Sequence, residues 1–247
     1  MTSRPARLPP PGHDPHTTGT RPRAHAGERT SDRDRDRTHD HTRDRTRDRT
    51  RARILEAARR ELGRNPDCAL ADIAEAAGVA RRTVYVHFAG RAALVRGLAA
   101  EAAEAVRLAS EVAHIPAPDA ATALARFVLT LWPAADRYRV LVNLARQDLG
   151  THRVDEVLAP ARTAVAGILA QGQRQGLFHT TLPPRPLSRA LEAYLLSLLD
   201  TVNAGAWTDD GTTAATTALI VAGVDRNLAA TTVRRLRDDL GPTHSTR

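Results

Sequence analysis

The sequence predicts an all-α protein, and three observations carry that reading. Its apolar residues are mostly Ala, Leu and Val, with only eight aromatic residues in 247, a composition that suits closely packed helices. They recur at three- and four-residue spacing in one segment after another, the period of a helix face. Gly and Pro punctuate the intervals, and no alternating stretch reads as a strand.

The elements follow in chain order. From Pro9 to Arg53 there is no Val, Leu, Ile, Met or aromatic residue. Such a stretch cannot build a core, so residues 1–50 are predicted to form a disordered tail. Its later part, Asp32–Arg51, is a mixed-charge run with a repeat close to Asp-Arg-Thr-Arg. Order is expected from near Thr50, where Ile54, Leu55, Ala58 and Leu62 mark a first helix closing around Gly63–Pro66. A short second helix, Ala69–Ala77, buries Leu70, Ile73, Ala74 and Ala77, and Gly78 supplies the positive φ that such a helix end needs. A third helix spans Ala80–Phe88. Gly90 breaks it, and a long fourth helix carries Leu94, Val95, Leu98, Ala102, Ala105, Leu108 and Val112 towards Pro116 and Pro118. Five further helices are expected at 119–131, 136–147, 153–176 with a break or kink near Pro160, 187–204 and 213–238. Trp132-Pro133, Leu149-Gly150, Pro183–Pro186 and Asp209-Asp210-Gly211 would separate them.

Charge is unevenly placed. The chain carries a net +8, and all 36 basic residues are Arg. Residues 1–53 hold 14 Arg against 8 acids, residues 54–98 hold 7 against 5, and residues 99–247 hold 15 of each. Attraction for a polyanion therefore belongs to the front third of the chain. The tail reads either as a nucleic-acid-grazing arm or as a solvated segment whose Asp residues neutralise much of its Arg charge.

Residues 78–91, Gly-Val-Ala-Arg-Arg-Thr-Val-Tyr-Val-His-Phe-Ala-Gly-Arg, hold the most informative chemistry. On a wheel of about 100° per residue, Val84 and Phe88 share one side. Arg82, Thr83 and Val86 lie on the other, with Arg81, Tyr85 and His87 at the margins. A basic, hydroxyl-bearing face on an apolar base is what a helix reading the major groove requires.

The stretch Ile73-Ala74-x-x-Ala77-Gly78-Val79-x-x-x-Thr83-Val84-Tyr85-x-His87-Phe88-x-x-Arg91-x-x-Leu94 resembles the DNA-binding signature of the tetracycline-repressor (TetR/AcrR) family. The resemblance implies a three-helix helix-turn-helix domain at 51–97 and a helical ligand-binding and dimerisation domain at 98–240. It further implies homodimers on palindromic double-stranded DNA operators, commonly as repressors released by a small molecule. Carried over by position, Arg81 and Arg82 would face base edges, where a bidentate Arg–guanine contact gives about 1–3 kcal/mol of discrimination. Thr83 and His87 would donate to phosphates, Tyr85 would combine a phosphate bond with apolar contact, and Arg91 would meet a phosphate at a helix N-terminus. Ala69 and Ala80 depart from the pattern, standing where capping hydroxyls are common; each missing cap costs about 1 kcal/mol. A weaker grip by the domain is the expected result, with the Arg-rich arm able to offset it.

Within the body, Leu191, Leu195, Leu198 and Val202 form one apolar stripe, and Ile220, Val224 and Leu228 form another among small residues. The resemblance implies that these last two helices pair with their two-fold mates. Trp132, Tyr138, Asn143, Gln147, Tyr194 and Trp207 are the larger or polar groups on otherwise aliphatic helices, a mixture that lines small-molecule sites. The expected effector is small and apolar or amphipathic.

Other classes find little support. No His, Cys, Asp and Glu cluster has zinc spacing, so no metal or cofactor is expected. Cys68 has no partner for a disulfide. There is no phosphate-cradling Gly loop, no G-x-S-x-G elbow and no plausible carboxylate pair, which argues against an enzyme. No apolar run suggests a leader or a membrane span, and a cytoplasmic location is expected. The alternative to a sequence-specific regulator is a non-specific nucleic-acid-binding or architectural protein driven by the Arg-rich tail.

Overall fold

The structure, a computed structural model, describes residues 28–139, 141, 144 and 150–240, with the backbone alone at 28–42, 151 and 240. By its contacts the chain divides into two units, residues 1–48 and 49–247. Helix α1 runs Glu28–Arg64, so the described part of the first unit, residues 28–48, is helical. Helix α1 thus begins ahead of the expected start of order near Thr50; residues 1–27 of the predicted disordered tail lie outside the described residues. Two physical terms explain the early start. Ile54, Leu55, Ala57 and Ala58 are fully buried and fix the helix, so extension backwards needs no new nucleus. Asp44 with Arg47, and Asp48 with Arg51, stand three apart, a spacing that favours helix by a few tenths of a kcal/mol each.

The second unit begins with a small three-helix base. The last part of α1, α2 (Leu70–Ala76) and α3 (Arg81–His87) bury Leu62, Ile73, Ala74, Ala77, Val84 and Phe88 together with Ile54 and Leu55. Helix α4 (Arg91–Glu111) enters the same cluster through Leu94 and Leu98. Gly97 lets it lie close: a Cβ there would stand 2.9 Å from Phe88 Cε1 and 3.1 Å from Leu55 Cδ2. Farther along α4, Ala102 and Val106 are buried but Leu108 points out, against expectation. A 3₁₀ turn at Val112–His114 closes the helix.

The remaining helices whose backbone is described throughout are α5 (Ala120–Arg137), α6 (Thr151–Arg174), α7 (Pro184–Asn203), α8 (Thr212–Val221) and α9 (Arg226–Leu240). They wrap one apolar cluster that includes Leu124, Phe127, Trp132, Leu169, Leu187, Leu191 and Leu219. Among the described residues no strand occurs, and no helix is long and apolar enough to cross a membrane.

Two expectations here need correction. Trp132-Pro133 does not separate two helices: Pro133 lies inside α5, which continues to Arg137. Proline removes one N–H from the ladder, but burial of Phe127, Val128 and Trp132 before it holds the helix together. Pro160, where a break or kink is expected, sits within α6, which runs on past it. The expected single helix at 213–238 is two helices, because Gly223 at φ +104 turns the chain and a Cβ there would meet the His179 amide nitrogen at 2.9 Å. Asp225 Oδ1 then accepts from the amides of Asn227 (2.9 Å) and Leu228 (3.1 Å), starting α9.

Candidate DNA-reading surface and ligand cavity

The turn between α2 and α3 is fixed by one glycine and one arginine. Gly78 takes φ +63, a region that costs other L-residues. The Arg53 guanidinium donates to the carbonyls of Ala77 at 2.6 Å and Gly78 at 3.3 Å, so α1 clamps the turn. Val84 and Phe88 bury the inner side of α3, and the Arg51 guanidinium stacks 5.2 Å from the Phe88 ring centre. Residues 51 and 53 thus brace the presentation of α3, a role their place at the end of a charged run did not announce.

The outer side of α3 emerges as the wheel places it. Arg81 and Arg82 are exposed, Tyr85 is 47% and Val86 65% exposed, and Thr83 and His87 are half-buried. Arg81 lies over the Tyr85 ring at 5.9 Å, which pre-orients its guanidinium. Val86 is the most exposed large hydrophobic side chain among those described, and it stands one turn after Arg82. Arg91 is half-buried and donates to the carbonyl oxygens of Pro66 and Cys68, the latter at 3.2 Å; it ties down the loop before α2. The N-cap positions Ala69 and Ala80 make no side-chain cap, but Asp72 Oδ2 accepts from the Ala69 amide at 2.9 Å. The missing cap on α2 is therefore partly compensated. Burial, slightly relieved by Arg91, raises the Cys68 thiol pKa, which keeps it an unreactive core group.

The body holds an apolar cavity of about 140 Å³ between α4, α5, α6 and α7. Val106, Phe127, Leu131, Trp132, Leu158 and Leu195 are among its walls. Of the predicted ligand-binding residues, Trp132 and Tyr138 line it. Asn143 and Gln147 lie outside the described residues. Tyr194 is not among the lining residues, and Trp207 instead packs edge-on against Trp132 at 6.4 Å. Trp132 Nε1 donates to the Asp209 carbonyl at 3.0 Å, so the Trp207–Gly211 stretch closes the cavity's outer wall rather than lining it. Polarity comes from a pair that sequence spacing could not reveal: Arg162 grips Glu192 at 2.7 and 2.9 Å, joining α6 to α7.

The predicted dimer residues divide. Leu191 and Val224 are buried in this chain's own core, and Leu195 lines the cavity together with Leu191. Leu198 and Val202 are half-buried. Ile220 and Leu228 remain outside, 39% and 50% exposed, beside Val221. Heptad-like spacing could not separate these cases, because α7 is apolar on several sides.

The three-helix base and the cavity share residues. Leu141 lines the cavity and, with Leu144, belongs to the buried cluster of the three-helix base, against which Tyr138 also packs. Arg137, at the end of α5, pairs with Glu56 of α1 at 3.1 Å. Glu56 carries a lowered pKa, chiefly through its hydrogen bond from Arg59.

An exposed basic helix on a buried three-helix base, continued by a helical body, is the architecture of a helix-turn-helix transcriptional regulator. Residues 54–98 match the family model for bacterial regulatory proteins of the tetR family. No curated protein sequence matches the chain. Solved structures with the same fold include the TetR-family regulator PfmR from Thermus thermophilus, at 19% identity and TM-score 0.56, covering 69% of this chain and 97% of that one. The fatty acid degradation regulator FadR from Bacillus halodurans has 19% identity and TM-score 0.59, with 70% and 94% covered. A gamma-butyrolactone receptor has 18% identity and TM-score 0.62, with 78% and 99% covered. The family model thus covers the three-helix base and the start of α4, and the chain shares its fold with these solved regulators.

Proposed function

We propose that this protein is a sequence-specific transcriptional repressor that binds a palindromic operator as a dimer and responds to a small ligand. Residues 51–97 act as the DNA-binding domain and residues 98–240 as the ligand-binding and dimerisation domain. The observation that carries this reading is the exposed pair Arg81 and Arg82 on a helix whose opposite side is fully committed to a core. Such a pair can reach guanine edges without rearrangement. Thr83, Tyr85 and His87 lie beside it to hold phosphates, and Arg91 contributes by fixing the adjoining loop.

Dimerisation is supported by the exposed Ile220, Val221 and Leu228 at the α8–α9 corner. On α8 the hydroxyls of Thr216 and Thr217 donate to the carbonyls of Thr212 and Thr213, both at 2.8 Å, so their hydrogen-bonding capacity is spent within the helix. A two-fold pair of heads then fits two half-sites about one DNA turn apart. Ligand response is supported by the cavity and by the residues it shares with the base of the reading head. A molecule that displaces Tyr138 and Leu141 shifts groups packed on α1 and α4, and so biases head spacing.

Selection of bound duplexes from a random library tests the proposal. The selected sites should converge on one inverted repeat, and purified protein should migrate with the mass of two chains. Recovery of unrelated sequences would favour non-specific binding led by the Arg-rich segment.

A further inference from the structure

We infer that Arg53 is a positioning residue for sequence reading: its guanidinium sets the angle at which α3 leaves the turn, and through that angle the discrimination between duplex sequences. This rests on the sequence-specific reading above and adds to it a residue that touches no base pair.

The backbone shows why the turn needs a second anchor. At the end of α2, the Gly78 amide donates to the Glu75 carbonyl at 2.9 Å and the Val79 amide to the Ala74 carbonyl at 3.0 Å. This pairing closes a helix on a glycine. A new bond first forms at Thr83, whose amide donates to the Ala80 carbonyl at 2.8 Å, and Ala80 brings no side-chain cap. Between these two anchors the carbonyls of Ala77 and Gly78 accept from Arg53, at 2.6 and 3.3 Å. A planar guanidinium holds two carbonyls in one fixed geometry, which a point-like ammonium does not. The clamp comes from α1, whose Ile54 and Leu55 are fully buried, so the turn is tied to the three-helix core rather than to its own loop.

Arg51 anchors the far end of α3. It stacks 5.2 Å from the ring centre of Phe88, the residue that closes the helix. Gly97 leaves the space for it, since a Cβ there would stand 3.4 Å from Arg51 Nη2. Helix α1 thus holds α3 at entry and exit, and Arg53 acts on the end that carries Arg81 and Arg82. Base edges and phosphates respond differently to such an anchor. A bidentate contact tolerates errors of roughly 0.5 Å and 10–20°, whereas attraction to phosphates acts over about 10 Å. Loosening α3 therefore costs discrimination before it costs attraction. Arg53 is exposed, so water replaces its bonds at modest cost to folding.

The full chain, Arg53→Met and Arg53→Lys are assayed against a selected inverted repeat and a random duplex across a salt series, with Tm followed in parallel. Arg53→Met should lose about tenfold of the parent's preference for the repeat, the worth of one hydrogen bond from a charged group. Its affinity for random duplex should stay within about twofold of the parent's, with the same salt slope. Arg53→Lys keeps the charge and one of the two carbonyls, and should lose about threefold of the preference. A salt slope smaller by about 0.9 in Arg53→Met would make Arg53 a phosphate contact. Equal weakening on both duplexes with a lower Tm would make its role structural only. Either result overturns the inference. A full parental preference in both variants also overturns it, while leaving the sequence-specific reading intact. Equal affinity of the parent for the two duplexes removes that reading and this inference with it. If Arg53→Met does not fold, Arg53→Lys decides: an undiminished preference overturns the inference, and a loss at unchanged salt slope supports it.

Discussion

At the scale of single residues, α3 separates two kinds of work. Val84 and Phe88 hold the helix; Arg81, Arg82 and Val86 face outward. A half-circle of wheel arithmetic was enough to assign these sides, because period and burial agree over so short a helix. Val86 adds a prediction of its own: an exposed β-branched side chain beside Arg82 is placed to touch a thymine methyl group. Replacing the thymines of a bound half-site by deoxyuridine, one at a time, should weaken binding about fourfold at one position, the ~0.8 kcal/mol of a buried methyl. Val86→Ala should lose that sensitivity, and uniform tolerance of deoxyuridine by the parent protein would refute the contact. Glu101 makes a second case. Burial raises its pKa, so its charged form costs folding free energy above the unfolded carboxylate pKa, and the cost disappears as pH falls below that value. Glu101→Gln should therefore raise Tm at pH 7, by less than ~1 kcal/mol of stability after solvent screening. The gain should fade towards pH 4, as thermal melts across that range will show. A larger gain at pH 4 than at pH 7 would reverse the sign of the argument.

At the scale of elements, the fold class and the reading-head helices were legible, and the errors have identifiable causes. Each inner residue assigned to the first two helices is buried or half-buried, because short helices around one small core leave few alternatives. Pro133 misled because a proline's local cost of roughly 3 kcal/mol is outweighed by long-range burial that spacing does not report. Gly223 misled in the opposite direction: it reads as a small packing residue, but its φ of +104 and the nearby His179 make it a turn. The pairing of Arg162 with Glu192 joins helices 30 positions apart and leaves no local trace. The α8 start is an exception, since Asp209-Asp210-Gly211 announced a turn and delivers one. Asp209 accepts from the amides of Thr213 (3.0 Å) and Ala214 (2.9 Å). Asp209→Ala should cost about 1 kcal/mol, within the ~0.5–2 kcal/mol range for N-caps, read as a lower urea midpoint at unchanged m-value. No change in midpoint would mean that the cap contributes nothing to α8.

For the whole molecule, the division of charge and apolar surface matches the proposed division of labour. Residues 43–53 carry 6 Arg against 2 Asp on the helix that enters the three-helix base, whereas residues 99–247 are balanced and hold the cavity. The helical state of 28–48 was not legible, since a run without apolar residues gives periodicity nothing to detect. If this segment contacts phosphates, deleting residues 1–50 should weaken binding to every duplex by a similar factor and flatten the dependence of log affinity on log salt. An unchanged salt slope after deletion would leave the segment no part in binding.

The central claim is that two exposed guanidinium groups on α3 read base sequence. Competition binding at physiological salt between a selected inverted repeat and random duplex tests it most directly, with Arg82→Ala alongside the parent. The parent should prefer the repeat by about 10³-fold or more, and Arg82→Ala should lose about 10- to 100-fold of that preference while its binding to random duplex changes little. Equal affinity of the parent for both duplexes, or an unaltered preference in Arg82→Ala, would contradict the account.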